Sequence, residues 1–458
     1  MVKKNDILEV TIEDVVFPNK GIGYIDDQKI IVKGGIRDQI LKIKVKKKRK
    51  SKIEGTIIEV VKPSPIEIPP RCQHYDICGG CNTQTLPYHH QLEIKSNQVK
   101  KILNDAGIKG FEFLGIEPSP LEYQYRNKME FSFGDEIKGG PLELGMHQKG
   151  KFYEIVTTTG CQIVDEDFNK ILTLVLEYFR NKGLAHYHKI THTGSLRHLV
   201  IRKAHKTDQL LINLVTTSQQ ELELEDLTKE LLSLSLSSKI MGILHTINDG
   251  LADIVQSDET RILYGQNFIT EEILGLSFKI SVFSFFQTNS LGAEKLYSIV
   301  RDFAGSTNDQ IIFDLYCGTG TIAQIMAPVA KKVIGIEIVE EAVEAAKENA
   351  SLNGLSNCEF IAGDVFEKVD ELKDKPDLII LDPPRVGIHP KAIHKIIDFN
   401  PPRFIYVSCK PTSLADDLPV FIEKGYKITK VQCMDMFPHT PHVETVVLMS
   451  RVKVNTMF

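Results

Sequence analysis

The stretch Ile311-Ile-Phe-Asp-Leu-Tyr-Cys-Gly-Thr-Gly320 decides the fold of the C-terminal part of this chain. Its first five residues predict a buried strand, and its two glycines predict a loop in which the backbone approaches a ligand closely. A helical pattern follows at 321–329, so the stretch predicts a strand–loop–helix unit of an α/β sheet. Because many α/β loops carry a lone Gly-x-Gly, the neighbouring strands must support the assignment.

The alternation of strand and helix patterns continues from this stretch to the C-terminus. The apolar patterns predict further strands at 333–338, 358–361, 377–381, 403–408, 426–434 and 443–449, with helices at 340–352, 390–398 and 412–424. Alternating elements of this kind are typical of an open, doubly wound sheet. No helix separates the last two strands, so we expect them to form an antiparallel pair.

Acidic residues follow three successive predicted strands, at Glu337, Asp364 and Asp382. Because the carboxyl ends of parallel strands meet at one edge of a sheet, these acids should line one crevice. Glu337 lies 23 residues past Asp314, a suitable place to bind ribose hydroxyls, and Asp364 is placed to accept from an adenine amino group. A nicotinamide site needs Gly-x-Gly-x-x-Gly, but Gly320 is followed by Thr-Ile-Ala. The pattern therefore favours S-adenosylmethionine (SAM).

A thiol and a carboxylate lie farther along, Cys409 within 406–411 (Tyr-Val-Ser-Cys-Lys-Pro) and Glu444 within 441–446 (Pro-His-Val-Glu-Thr-Val). A thiolate that adds to C6 of uracil makes C5 nucleophilic enough to take a methyl group. A base must then remove the C5 proton so that the thiol is expelled. Cys409 and Glu444 suit these two roles, and Lys410 would favour the thiolate. A buried structural cysteine and a surface carboxylate are the alternatives.

The N-terminal segment 1–62 is basic, with 15 Lys/Arg against 9 Asp/Glu, although the whole chain has a net charge of −5. Five short strand patterns separated by glycine and aspartate turns predict a small barrel of the oligonucleotide-binding type. These strand patterns cover 7–14, 21–25, 29–32, 40–46 and 55–61. The basic run at 42–52 favours contact with phosphates, while lysines that guard an edge strand are the alternative.

Four cysteines mark the middle segment, 63–284, which otherwise shows strand patterns and helices near 88–106, 166–181 and 222–235. Cys72, Cys78 and Cys81 are spaced Cys-x5-Cys-x2-Cys, and Cys161 is isolated. Four thiolates can hold a [4Fe–4S] cluster or Zn²⁺, and the spacing alone does not decide between them. The Cys-x3-Cys-x2-Cys spacing of radical-SAM enzymes is absent from the sequence, which excludes that class.

Length and composition fit a soluble chain of about three parts, 1–62, 63–284 and 285–458. Of its 458 residues, 42% are hydrophobic and 25% are charged, which is ordinary for globular proteins. No apolar run approaches the roughly 20 residues of a membrane span. Eight cysteines without an export signal indicate reduced thiols. We therefore expect a cytoplasmic location, no membrane association and no obligate protein partner.

Three motifs in order, Asp-Pro-Pro-Arg at 382–385 and the stretches 406–411 and 441–446, resemble the signature of RNA uracil-5-methyltransferases. The resemblance spans nearly the whole chain and implies that Cys409 is the nucleophile and Glu444 the proton acceptor. Lys410 departs from the asparagine common in the family. Related cytosine-5 enzymes place a cysteine where this chain has Arg385, which favours uracil. The resemblance to RNA uracil-5-methyltransferases also implies five SAM-binding positions, which are Gln287, Tyr316, Glu337, Asp364 and Asp382.

The same resemblance extends to the other two segments. Residues 1–62 resemble a TRAM domain, and the cysteines resemble the iron–sulfur ligands of the family, which implies a [4Fe–4S] cluster with a structural or RNA-positioning role. The expected fold is a multidomain α/β protein with three parts. These are an N-terminal TRAM/OB-like small β-barrel, a central α+β domain with the four-Cys cluster site, and a C-terminal doubly wound Rossmann-like SAM methyltransferase domain.

Because this chain combines a TRAM-like segment with a cluster motif, it resembles the 23S rRNA enzymes more than the bacterial tRNA enzymes, which lack both features. The resemblance therefore implies RNA as the partner, with 23S rRNA expected and tRNA as the alternative. A noncatalytic RNA-binding or ribosome assembly factor is a second alternative, which the pair Cys409 and Glu444 disfavours. The sequence leaves the target uridine open.

Overall fold

The computed structural model of the protein describes residues 2–49, 52–252 and 254–452. Lys50 in the predicted basic run and residues 453–458 of the predicted C-terminal domain lie outside the described residues. Within the described ranges the strands form four sheets, of six, seven, two and eight strands. No helix in these ranges is both long enough and apolar enough to cross a membrane.

The N-terminal sheet has six strands in the order β1-β5-β6-β4-β3-β2. Its buried face includes Val10, Ile30, Leu41 and Ile43, which form a core separate from the rest of the chain. The predicted strand at 7–14 is split because β1 pairs with β5 whereas β2 pairs with β3. The strands are β1 (Ile7–Thr11), β2 (Asp14–Val16), β3 (Lys20–Ile25), β4 (Gln28–Lys33), β5 (Ile40–Arg49) and β6 (Lys52–Lys62).

The middle segment begins with α1 (Tyr88–Asp105) and β7 (Glu112–Glu117) and continues into a seven-stranded sheet. Its order is β10-β9-β8-β11-β12-β13-β14. Leu199 and Ile201 pack in one core with residues of helix α2, while Val200 packs with the C-terminal part of the chain. The elements are β8 (Lys128–Gly134), β9 (Glu143–His147), β10 (Ile155–Thr157), α2 (Glu166–Lys182), β11 (Leu196–Ala204), β12 (Gln209–Thr216), α3 (Glu225–Ser233), β13 (Lys239–Ile247) and β14 (Glu259–Gly265).

A hairpin and a helix lead into the C-terminal sheet of order β19-β18-β17-β20-β21-β23-β22-β7. The elements are β15 (Phe268–Ile273), β16 (Leu276–Ser281), α4 (Ser290–Ala304), β17 (Thr307–Leu315), α5 (Thr321–Met326), a 3-10 turn (Ala327–Val329), β18 (Ala330–Glu337), α6 (Glu340–Leu352), β19 (Cys358–Ala362), α7 (Val365–Lys368), a 3-10 turn (Val369–Glu371), β20 (Leu378–Leu381), α8 (Pro390–Asp398), β21 (Arg403–Ser408), α9 (Pro411–Glu423), β22 (Tyr426–Met434) and β23 (Glu444–Arg451).

The five strands from β19 to β21 are parallel, and apolar cores lie on both faces of the sheet. Side chains of β17 enter both cores, Ile312 on one face and Phe313 on the other. Strands buried on both faces read as continuous apolar runs, which is why 311–315 predicts this sheet. The predicted antiparallel pair is confirmed, since β22 pairs antiparallel with β23. The C-terminal part is thus a Rossmann-like α/β sheet.

Strand β7 belongs to the C-terminal sheet, although it lies in the segment assigned to the middle of the chain. It pairs parallel with β22 at the sheet edge, and α1 packs near α9. The division at 62 and 284 stays a prediction, and the pairing of β7 shows that contacts cross the second boundary.

Candidate active site

A cleft of about 1830 Å³ opens at the carboxyl edge of the C-terminal sheet. Its walls also include Arg126 from the middle segment and Phe268 from the hairpin. The residues that follow parallel strands all lie at this edge of the sheet, which explains why motifs that are distant in the sequence meet there. All seven side chains predicted for cofactor binding and catalysis line the cleft: Gln287, Tyr316, Glu337, Asp364, Asp382, Cys409 and Glu444.

The loop after β17 turns sharply into α5. Tyr316, Gly318 and Gly320 all have positive φ angles, of 68°, 54° and 69°. A Cβ atom at Gly320 would lie 2.5 Å from the ring of Phe360, so a glycine is required there for close packing as well as for conformation. Gly318 lines the cleft, whereas Gly320 packs against Phe360 of β19 rather than facing a ligand.

Two carboxylates hold the neighbouring loops in place. Glu337 accepts hydrogen bonds from the backbone N–H groups of Gly318 and Val339, both at 3.0 Å. Asp364 accepts from the N–H of Phe366 at 2.8 Å and caps α7. Both side chains line the cleft with their positions fixed by local backbone donors, which suits recognition of hydroxyl or amino groups of a nucleoside.

Two further acids line the cleft, Asp314 as a buried residue and Asp382 as a half-buried one. Burial, and next the charge of Asp382, raise the pKa of Asp314 to about 8, and burial raises the pKa of Asp382 to about 7. One oxygen of Asp314 accepts from the N–H of Ala323 at 2.9 Å, while its Oδ1 is buried without a hydrogen-bond partner among the described residues. Such uncompensated acids suit a ligand that carries positive charge. SAM, a sulfonium cation, fits this site.

Cys409 and Glu444 lie side by side at the end of an antiparallel ladder. Ser408 of β21 pairs with Thr445 of β23, so the next positions outward along the two strands are Cys409 and Glu444. Directly opposed residues of an antiparallel pair have Cα atoms about 4.5–5.5 Å apart. The structure therefore brings together the thiol and the carboxylate that the sequence predicts to act on one ring.

The charges of neighbouring side chains change the pKa values of Cys409 and Glu444. Burial, then Glu444 and Asp382, raise the pKa of Cys409 to about 11, and burial and Asp382 raise the pKa of Glu444 to about 8. Arg385 lowers both pKa values. The cation that favours the thiolate is thus Arg385, from the motif after β20, whereas the sequence pointed to Lys410.

The loop between β22 and β23 completes the wall of the cleft, as its irregular sequence suggests. Phe437, Thr440 and His442 line the cleft beside Glu444. Burial, and next the charge of Arg385, lower the pKa of His442 to about 4, so its imidazole is neutral at pH 7. Sequence reasoning missed His442 as a site residue, although its place two residues before Glu444 pointed to it.

Sequence reasoning also missed Tyr297 of α4. Its side chain lines the cleft although the residue is buried, and its pKa is raised by burial and by the charge of Asp382. A hydrogen bond with Gln287 acts in the opposite direction. Tyr297 therefore supports the amide that the sequence assigns to the cofactor, and no motif marks this residue.

The four cysteines predicted as metal ligands are free thiols, and three of them lie close enough to Cys161 to act on its pKa. Burial, and next the charges of Cys81, Cys72 and Cys78, raise the pKa of Cys161 to about 12. The side chain of His74 bonds to the carbonyl of Thr159 at 2.9 Å and joins the two cysteine loops. Four soft thiols are the donor set of a [4Fe–4S] cluster. Nevertheless, no group of three or more His, Cys, Asp or Glu within the described ranges is arranged to hold a metal ion.

Strand β5 carries the predicted basic run as an alternating pattern. Leu41, Ile43 and Val45 are buried, whereas Lys44 and Lys46 between and after them are exposed. Successive side chains of a strand point to opposite faces, so these lysines face solvent together. The outer face of the N-terminal sheet therefore presents Lys44 and Lys46 to solvent, while Lys42 on the same face lies between Glu9 and Glu59.

Fold and cleft together define a Rossmann-like methyltransferase that uses SAM. A family model described as tRNA (Uracil-5-)-methyltransferase matches residues 87–452. The chain belongs to this family, which confirms the resemblance drawn from its motifs, and it is an RNA methyltransferase.

Relatives of this chain agree with that assignment. An uncharacterized RNA methyltransferase of Clostridium tetani is 54% identical over 98% of both chains. Another, from Caldanaerobacter subterraneus subsp. tengcongensis, is 53% identical over 98% of this chain and 99% of its own. Among solved structures, the Pyrococcus abyssi tRNA (uracil-54, C5)-methyltransferase in complex with S-adenosyl-L-homocysteine has a TM-score of 0.75. It is 25% identical and covers 96% of this chain and 100% of its own.

Proposed function

We propose that this chain methylates C5 of a uracil in 23S rRNA through a covalent bond between Cys409 and C6 of the base. The observation that carries the proposal is the placement of Cys409 and Glu444 at adjacent strand ends, in the same cleft as the acids that suit a cationic cofactor. A methyl donor, a nucleophile and a base in one cleft supply the three parts that this reaction needs.

The sulfur of Cys409 forms a bond to C6, and the electron pair of the C5–C6 double bond moves to make C5 an enolate-like carbon. SAM, when bound, supplies a methyl group on a positively charged sulfur. C5 takes that methyl group as the bond between the methyl carbon and the sulfur breaks, which would leave S-adenosylhomocysteine with the electron pair on its sulfur. C5 now carries both the methyl group and its original proton. The carboxylate of Glu444 removes this proton, the electron pair re-forms the C5–C6 double bond, and the C6–S bond breaks to return the Cys409 thiolate.

The charges in the cleft suit this sequence of steps. Arg385 lowers the pKa of Cys409 and of Glu444, so it favours the thiolate and carboxylate forms that react. A bound sulfonium would act in the same direction on Cys409 and Glu444. Both reactive groups therefore reach their ionised forms most readily when the donor is present.

We assign the cofactor-binding role to the residues that line the other part of the cleft. Glu337 and Asp364, fixed by backbone donors, would hold the ribose hydroxyls and the adenine amino group. Gln287 bonds to Tyr297, and the charge of Asp382 raises the pKa of both Tyr297 and Glu444. Tyr316 contributes from the loop after β17.

The choice of 23S rRNA rests on the two N-terminal features that resemble the rRNA enzymes. The outward lysines of β5 support an RNA-binding role for residues 1–62 as a TRAM-like unit. The resemblance of Cys72, Cys78, Cys81 and Cys161 to the iron–sulfur ligands of the family supports a [4Fe–4S] cluster with a structural or RNA-positioning role, and all four are free thiols. Transfer RNA is the second candidate substrate, favoured by the name of the matching family model and by the substrate of the Pyrococcus abyssi enzyme.

Two variants separate the catalytic roles. Cys409→Ala should abolish both methylation and any covalent RNA complex, because no attack at C6 can begin. Glu444→Gln should accumulate a denaturation-resistant complex with methylated RNA, because the C5 proton stays and the thiol is not expelled. Cys358→Ala, at another half-buried cysteine in β19, is the matched control and should turn over. Normal turnover by Glu444→Gln, or a covalent complex with Cys409→Ala, would disprove the mechanism.

The substrate is identified by mapping 5-methyluridine in rRNA and tRNA from a strain that lacks the gene. Loss of the modification from 23S rRNA alone supports the first candidate. Loss from tRNA alone would establish the second candidate in its place. Unchanged 5-methyluridine in both RNAs would contradict the proposed function.

A further inference from the structure

The connection between β22 and β23, residues 435–443, is buried to an unusual degree for a loop. Asp435, Met436, His439 and Val443 are all at most 2% exposed. Loops normally run over the surface because their backbone groups need partners. This connection ends at Glu444, which pairs with Met434, so a shift of the connection would act on the start of the strand that carries the proposed base.

Helix α1 covers one side of this connection. Lys95 donates to Asp435 Oδ1 at 2.6 Å and to the carbonyl of Phe437 at 3.1 Å, and both members of the ion pair are buried. One turn earlier, the side chain of Gln91 accepts from the N–H of His439 at 2.9 Å and donates to its Nδ1 at 3.1 Å. The loop thus receives four bonds from two residues of one helix.

The loop that contains Cys81 contacts the same point. The N–H groups of Asn82 and Thr83 both donate to the carbonyl of His439, at 2.7 and 3.2 Å. The hydroxyl of Thr83 also donates to the Gln91 side chain at 3.1 Å. His439 has a φ angle of 64°, a conformation that a residue with a side chain keeps only when its surroundings hold it. The side-chain amide of Gln91 bonds both to Thr83, in the loop that contains Cys81, and to His439, in the connection 435–443.

We propose that Gln91 is a positioning residue for the base, holding 435–443 so that Glu444 faces the methylated ring. The inference rests on the proposed function, and it concerns only the second half of the reaction. Cys409 follows β21, whose last residue Ser408 pairs with Thr445 rather than with 435–443 and accepts a hydrogen bond from the Lys410 N–H. Attack at C6 should therefore survive a shift of 435–443, whereas proton removal should not.

The test compares Gln91→Met with Gln98→Met under single-turnover conditions with the RNA substrate and SAM. Gln98 is a second buried glutamine on the same face of α1, but its amide donates to the carbonyl of Val15 in the N-terminal sheet at 3.1 Å. Gln91→Met should slow release of methylated RNA by about 10- to 100-fold, the usual effect of a misplaced group. It should also accumulate the covalent complex and keep the SAM affinity of the unaltered protein.

Gln98→Met should not accumulate the covalent complex. If it accumulates as much complex as Gln91→Met, the effect belongs to α1 as a whole and the proposal is wrong. The proposal is equally wrong if folded Gln91→Met releases product at the unaltered rate, or if it loses covalent attack together with release. If the unaltered protein makes no 5-methyluridine, the proposed function fails, which is a different result.

A milder variant keeps the test decisive if Gln91→Met does not fold. Tyr125→Phe removes only the hydroxyl that donates to the carbonyl of Pro438 at 3.0 Å, on another side of the same connection. It should shift the balance between covalent complex and free product in the same direction, by a smaller factor. No shift in this folded variant would overturn the proposal.

Discussion

Binding of SAM should release up to about 1.4 protons per protein molecule from Glu444 and Asp382 at pH 7, because raised pKa values keep these acids partly protonated until a cation arrives. Burial and Asp382 raise the pKa of Glu444 to about 8, and burial raises the pKa of Asp382 to about 7. Groups with these pKa values are about nine-tenths and about half protonated at pH 7. A sulfonium nearby favours the carboxylate forms, so protons must leave as it binds.

Isothermal titration calorimetry measures this release when the same titration is run in buffers of different ionisation enthalpy. The affinity for SAM should also rise between pH 6 and pH 8, because fewer protons then have to leave the acids when SAM binds. Above the raised pKa values the acids are already ionised, so the affinity should level off. S-adenosylhomocysteine lacks the sulfonium charge and is the matched ligand. It should release clearly fewer protons, and Asp382→Asn should reduce the release by SAM.

Equal proton release by the two ligands would refute the link between the sulfonium and the buried acids. No release by SAM at pH 7 would refute the raised pKa values themselves. Either result leaves the covalent mechanism standing, because that mechanism is tested through Cys409 and Glu444.

Two other predictions concern the N-terminal parts of the chain. Anaerobically purified protein should bind about four irons, and Cys78→Ser should lose iron and solubility together, whereas stoichiometric zinc without iron would contradict the cluster. Lys44→Ala combined with Lys46→Ala should weaken RNA binding by about tenfold or more at low salt and by less at high salt, because counterion release drives phosphate contacts. Lys229→Ala, at an exposed lysine of α3, is the control, and an equal loss at both salt concentrations would exclude the predicted contact.

Much of the C-terminal fold was predictable because its elements have strong local patterns. Helix α6 and strand β21 begin and end where the sequence predicts, at 340–352 and 403–408. The cleft was predictable for the same reason, since parallel strands fix the edge at which Glu337, Asp364 and Asp382 emerge. The local patterns locate the strands, and the rule that the carboxyl ends of parallel strands lie at one edge is enough to predict that these acids line one cleft.

Contacts between distant parts of the chain were not predictable. Nothing in the sequence pairs Lys95 with Asp435, 340 residues away. Arg385 rather than Lys410 is the cation that lowers the pKa of Cys409. The sequence shows that Lys410 follows Cys409, but it does not show where the two side chains point. The TRAM-like barrel and the cluster rest on resemblance and remain predictions.

The pairing of β7 with β22 gives the chain an order of assembly. A ribosome releases β7 about 300 residues before β22, so the early strand must wait until nearly the whole protein has been made. Contacts of such long range form slowly, because a large loop must close first. A fragment that starts at 285 would contain β22 but not β7 and would expose a bare strand edge, the kind of edge that recruits other chains into aggregates. The N-terminal half therefore covers the edge of β22 with β7, a strand of six residues whose pairing is irregular.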